Sequence, residues 1–271
     1  MKKNSVVLDI ILIIVLYFVI SVICSFAVVG INIINYITST GQSISGRSYQ
    51  EFMKIFMTPE SMGWSLLIGD IVIVILLMLL KKVNLKTGFS WNKCKAKYIP
   101  YVIISCAVGI IGLDFISEII NLPNIVEVEM SNMAHSAVGI IAIAVVGPIC
   151  EEIMFREGIC GGLLRSGAKP WTAILVSAAL FGIIHINPAQ VPFAMAVGVM
   201  LAILYYKTNS LIPPTIIHIM NNTFAVLLML KYDDNQDVTF REIVGNNLFW
   251  PLLLGCTAVG VVLFYYYWKK R

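Results

Sequence analysis

Residues 150–156 read Cys-Glu-Glu-Ile-Met-Phe-Arg, and they fall inside an apolar run that extends over about 137–164. A run of that length reaches across a bilayer, which needs about 20 apolar residues in a helix. Two carboxylates and a guanidinium at such depth are expensive. Insertion scales put each at about 2.5–3.5 kcal/mol at the bilayer centre. Charges this costly call for partners, which must come from elsewhere in the chain. The chain has only three histidines, and two of them, His185 and His218, also lie in apolar runs.

The composition agrees with that reading. Of 271 residues, 59% are hydrophobic and 13% charged, against roughly 45–50% and about 25% in soluble domains. A water-soluble core has no room for that excess. The expectation is an all-α polytopic membrane protein, one transmembrane domain over residues 1–271 with an intramembrane polar site. Cys24, Cys94, Cys106, Cys150, Cys160 and Cys256 form no Cys-x-x-Cys pair and suggest no disulfide framework. The net charge of +4 reads as membrane topology, and no nucleic-acid partner is expected.

Working outward, about eight transmembrane helices are predicted, over 6–34, 62–80, 98–120, 137–164, 171–186, 190–206, 213–230 and 248–268. The first is too long for a signal-peptide core of about 7–15 residues and is read as uncleaved. A polar connection covers 38–61, and a second one covers 121–135 with Glu127 and Glu129. Asn187-Pro188 breaks the fifth helix. A polar loop holds Asp233, Asp234, Asp237, Arg241 and Glu242, and Lys269-Lys270-Arg271 follow an aromatic belt. Basic loops favour the cytoplasm. With both termini inside, Lys2, Lys3, Lys81, Lys82, Lys86, Lys93, Lys95, Lys97, Arg156, Arg165, Lys169, Lys207 and the three C-terminal cations face inward. Arg47, Lys54, Lys231 and Arg241 remain outside, a split of fifteen to four. The localisation expected is the cell membrane, multi-pass, both termini cytoplasmic.

Helix geometry sorts the charges at 151–156. Glu152 and Arg156 are four apart, share a face and can pair. Glu151 points about 100° away, so it is the candidate general base, supported by that pair. Gly158 and Gly162 allow another helix to approach closely. Glu151 lies seventeen residues before the turn at Ala168 and His185 seventeen after it, so an antiparallel hairpin sets them at one level, with Phe181 one turn from His185. His218 and Asn222 again share a face, after a Pro213-Pro214 start that suits a first turn. His218 lies only about nine residues past its own turn. Either the sixth helix is tilted or short, or the seventh begins below the surface. Asp70, Asp114 and Glu118 also lie in or near spans, and Arg156 is one conceivable partner. Cys150 is read as a bystander, because an adjacent carboxylate and an apolar setting disfavour a thiolate. His135, in an outer loop, is given no role.

Glu151-Glu152-x-x-x-Arg156, Phe181-x-x-x-His185 and His218-x-x-x-Asn222 together resemble the three motifs of the CPBP family, the CAAX-protease and bacteriocin-processing (Abi) intramembrane endopeptidases. The resemblance covers about residues 147–223 and makes 137–231 the core catalytic helices. It implies cleavage of a peptide bond in a membrane-associated peptide or protein, including bacteriocin or peptide-signal processing and self-immunity. Glu151, helped by His185, is implied to activate water. His218 and Asn222 are implied to stabilise the oxyanion, and Glu152 and Arg156 to orient Glu151. The family has been described both as metal-dependent and as glutamate-dependent. Two histidines and a glutamate suit zinc with one open position, and no His-Glu-x-x-His is present, so a divalent metal stays open. The partners expected are a peptide or membrane-protein substrate and lipid. The alternative function is a catalytically silent membrane regulator or immunity scaffold that binds a partner protein. A proton-relay transporter would need related halves, and no repeat is visible.

Overall fold

The computed structural model describes residues 3–90, 99–120, 122–232 and 239–269. Lys2, Lys93, Cys94, Lys95, Lys97, Asn121, Asp233, Asp234, Asp237, Lys270 and Arg271 lie outside the described residues. Every regular element described is helical: α1 (Lys3–Thr40), α2 (Tyr49–Phe56), α3 (Pro59–Leu79), α4 (Leu85–Gly88), α5 (Ile99–Ile120) and α6 (Glu127–Ala134), then the long rod α7 (Ala137–Arg165), followed by α8 (Pro170–Ile183), α9 (Gln190–Thr208), α10 (Ile212–Lys231), α11 (Phe240–Val244) and α12 (Asn246–Lys269). The chain is thus an all-α polytopic membrane protein, as the composition requires. Each of the eight apolar runs is a helix.

Among the described residues, α1, α3, α7, α9 and α10 are long and apolar enough to cross a bilayer. The α8 helix is not. It stops at Ile183 after 14 residues, about 21 Å at 1.5 Å per residue, short of the roughly 30 Å hydrocarbon core. The predicted end at residue 186 is corrected to 183, and His185 stands in the turn that follows. The two polar connections are also more ordered than their composition suggests. The first contains α2, which starts with a reciprocal cap between Ser48 and Glu51. The Ser48 N–H, with its hydroxyl, holds the Glu51 carboxyl below its usual range. The second contains α6.

The helices pack as neighbours in pairs: α1 on α3, α5 on α12, α8 on α9. The α7 rod runs through the middle, touching α1, α3, α8 and α10. Its residues from Ile153 to Leu163 are all buried, and Phe155, Met154 and Ile159 anchor the main apolar cluster with Ile13, Leu77 and Ile174. Of the two glycines, Gly158 makes the close approach and Gly162 an ordinary contact. A Cβ on Gly158 would sit 3.2 Å from Ile13, and one on Gly162 would sit 3.8 Å from Val6. The helix they admit is α1. On α1 the outward residues Leu8, Ile23 and Phe26 stay exposed, which suits a surface solvated by lipid tails.

The start of α10 is enclosed by the protein. Thr208, Ser210, Leu211 and Thr215 are all buried, and the Leu211 N–H donates to the Gly88 carbonyl at 2.7 Å. The chain turns back inside the protein, beneath α4, so α10 begins below the surface. His218, six residues into α10, thereby reaches the level of the carboxylates.

Candidate active site

Glu151 and Glu152 end a short α-helical stretch, Gly147–Glu152, between two π-helical segments of α7, Ala142–Val146 and Ile153–Cys160. Pro148 gives a cause for the first. It has no N–H for the carbonyl four residues back, and its ring crowds that carbonyl, so the widened i→i+5 turn relieves the conflict. The Gly147 N–H bonds to the Ala142 carbonyl in that wider pattern.

Glu152 and Arg156 are fully buried and paired, Nε to Oε2 at 3.0 Å. The pair is made by proximity, without the alignment of a hydrogen bond. The guanidinium carbon lies 4.4 Å from the centre of the Phe181 ring, a cation–π contact in a water-poor setting. Nη1 and Nη2 have no hydrogen-bond partner among the described residues. The other oxygen of Glu152 accepts from His218 Nδ1 at 2.9 Å. A carboxylate oxygen accepts, so Nδ1 carries the hydrogen and Nε2 is the nitrogen turned towards Glu151. That Nε2 stands 3.6 Å from Glu151 Oε2. Glu151 lies outside the Arg156 pair, and its side chain keeps 20% exposure.

His185 follows the end of α8. Its Nδ1 donates to the Phe181 carbonyl at 2.7 Å, which leaves Nε2 as the acceptor. Phe181 is the hub of the site. Its ring centre is 5.1 Å from that of His185, 5.5 Å from that of His218 and 5.3 Å from that of Phe155. Below it, Ser177 Oγ donates to the Phe155 carbonyl at 2.8 Å. This antiparallel register, continued along the hairpin, sets Phe181 level with Glu151 and His185 about one turn further on, near Gly147. Asn222 donates from Nδ2 to the Ile143 carbonyl at 3.0 Å and accepts from Asn221. One of its two amide hydrogens is thus committed to the first π-segment. The structure therefore brings Glu151, Glu152, Arg156 and His218 into direct contact, joins His185 to them through Phe181, and ties Asn222 to α7.

The turn after His185 is held in an unusual shape. Ile186 has φ 54, the left-handed region, which costs a β-branched residue about 1–3 kcal/mol. Asn187 is fully buried. Its amide donates to Asn124 Oδ1 at 2.7 Å and its carbonyl accepts from the Ile125 N–H at 3.1 Å. The Ala189 N–H donates to the Pro123 carbonyl.

Sequence reasoning missed Glu157. It is 3% exposed, accepts from Tyr205 Oη at 2.5 Å and pairs with Arg165 Nη1 at 2.8 Å. Its position beside Arg156 in a buried run was the available signal. The suggested pairing of Arg156 with Asp70, Asp114 or Glu118 does not occur among the described residues: Arg156 pairs with Glu152, while Glu118 accepts from the Arg241 N–H. Asp70 is nevertheless buried, and its Oδ2 lies 3.5 Å from where a Cβ on Gly147 would be. Among the described residues no three His, Cys, Asp or Glu side chains gather as a metal ligand set, and no chemical step is assigned to a metal.

Residues 133–224 match the family described as Type II CAAX prenyl endopeptidase Rce1-like. The chain is similar to the "Putative membrane peptidase YdiL" of Bacillus subtilis (strain 168), 36% identical over 111 residues, covering 40% of this chain and 45% of that one. It is also similar to the "Membrane-embedded CAAX protease MroQ" of Staphylococcus aureus (strain USA300), 31% identical over 93 residues, covering 32% of this chain and 38% of that one. The chain thus spans less than half the length of each of these relatives. No solved structure matches it.

Proposed function

We propose, from the match of residues 133–224 to the family described as Type II CAAX prenyl endopeptidase Rce1-like, that this chain is an intramembrane endopeptidase that cleaves a membrane-associated peptide or protein. The observation that carries the reading is the 3.6 Å gap between Glu151 Oε2 and His218 Nε2. It is too wide for a direct hydrogen bond; Oε2 itself is sealed, so in this reading a water enters by the partly exposed face of the Glu151 side chain. In this reading the water attacks the peptide carbonyl carbon as its proton passes to Glu151 or to His218 Nε2. The C–O bond forms, and the carbonyl electrons move onto oxygen. The uncommitted amide hydrogen of Asn222 donates to that oxyanion, joined by His218 where Nε2 has taken the proton. Removing one such donor costs about 2.7–4 kcal/mol in a measured case. When the C–N bond breaks, the proton goes to the leaving amine. His185, its Nε2 bare, takes part from the far side of Phe181 as a second proton acceptor. Glu152 and Arg156 hold His218 and leave Glu151 unneutralised. The distribution of basic residues supports cytoplasmic termini.

The test is Glu151→Gln in the full chain. Membrane peptides that accumulate in cells carrying the variant are sequenced from their N-termini, and one of them is incubated with purified wild-type protein. The expected result is cleavage by the wild type and none by the variant at equal membrane level. Undiminished processing by the variant would leave the silent-scaffold alternative standing.

A further inference from the structure

The turn that carries His185 packs on the polar connection at 122–126, and its buried polar groups find partners there. Two features define it. Ile186 sits in the left-handed region, which a β-branched side chain avoids. Asn187, fully buried, uses both ends of its amide on one loop, Nδ2 to Asn124 Oδ1 at 2.7 Å and Oδ1 from the Ile125 N–H at 3.1 Å. A third bond, Ala189 N–H to the Pro123 carbonyl, ties the far side of the turn to the same loop. The Asn187 carbonyl receives the Gln190 and Val191 N–H groups, so this residue also starts α9. The next residue, Pro188, biases Asn187 towards extended backbone.

We infer that Asn187 and Asn124 form a clamp that holds Ile186 in its strained conformation and thereby positions His185 for the reaction. This rests on the peptidase reading of the site. The clamp reaches His185 through the backbone alone. Ile186 is the adjacent residue, its N–H bonds to the Ile183 carbonyl, and the His185 N–H bonds to the Gly182 carbonyl. If residue 186 relaxes to an ordinary φ, the chain direction leaving His185 changes, and the bond from Nδ1 to the Phe181 carbonyl is released. Asn187 is therefore a positioning residue, and the 122–126 loop, which carries no motif, becomes part of the machinery.

The strain supplies the test. Glycine takes the left-handed conformation without penalty, so Ile186→Gly should make the clamp dispensable. The variants are Asn187→Ala, Asn124→Ala at an exposed position, and each combined with Ile186→Gly, all as full-length protein in detergent. Two readouts are taken: cleavage of the peptide identified with Glu151→Gln, and the carbethoxylation rate of each histidine by diethyl pyrocarbonate, resolved by peptide mass spectrometry. Each single asparagine variant should lower kcat about tenfold or more with KM little changed, and raise modification of His185 several-fold with His218 unchanged. Adding Ile186→Gly should restore both at least halfway. Unchanged His185 reactivity in both asparagine variants would overturn the inference, as would loss without rescue by glycine. His185 reactivity does not depend on turnover. If it responds while the wild type cleaves nothing, the clamp stands and the peptidase reading falls.

Discussion

Glu152 holds His218 by one imidazole nitrogen at 2.9 Å, and its neighbour Glu151 faces the other nitrogen at 3.6 Å. Consecutive carboxylates thus address opposite ends of one ring, and their surroundings separate their roles. Glu152 is sealed between Arg156 and His218, whereas Glu151 keeps some exposure.

Glu151→Gln should therefore separate activity from stability. Cleavage is expected to fall about 10²–10⁴-fold, the usual contribution of a general base, with the thermal midpoint in detergent unmoved. Kinetics and a melting curve on one preparation check both halves.

Glu152→Ala should do the reverse damage first. It strips Arg156 of its counter-ion in a fully buried position, and breaking such a pair costs about 3–5 kcal/mol. Denaturant titration in mild detergent should show a midpoint far below that of Glu151→Gln.

Arg156→Lys is not a conservative change here. The planar guanidinium lies over Phe181, a geometry an ammonium reproduces poorly. A loss of about 0.5–2 kcal/mol is expected from the ring contact. The same titration should place Arg156→Lys between the wild type and Glu152→Ala.

Tyr205→Phe removes the hydroxyl that donates to the buried Glu157. Leaving a buried acceptor short of a donor costs about 1–3 kcal/mol. Because Glu157 keeps Arg165, unfolding should shift while kcat per folded molecule stays unchanged.

The sequence made a good part of this arrangement legible. The Glu152–Arg156 pair follows from a four-residue spacing, and two π-segments did not disturb it. The hairpin count from Ala168 expected His185 opposite Glu151; the Ser177–Phe155 bond instead sets Phe181 at that level, because the turn is not centred on Ala168, and His185 follows one turn later. The depth of His218 was not readable. It depends on α4 covering residues 208–215, through Gly88 and Leu211, which are distant in sequence. The end of α8 at Ile183 was missed for a similar reason. Apolar residues continue past it, and only the contact with Asn124 and Ile125 reveals the turn.

His218 lies 66 residues beyond Glu152 in the chain. At about 5–20 residues per second of synthesis, roughly 3–13 s separate the synthesis of Glu152 on α7 from that of His218 on α10. Throughout that interval the Glu152 carboxylate has Arg156 alone, four residues away on its own helix. A ribosome stalled between the two, or a product truncated before α10, would leave in the bilayer a charged helix that quality-control proteases can recognise, and would release nothing capable of cutting its neighbours.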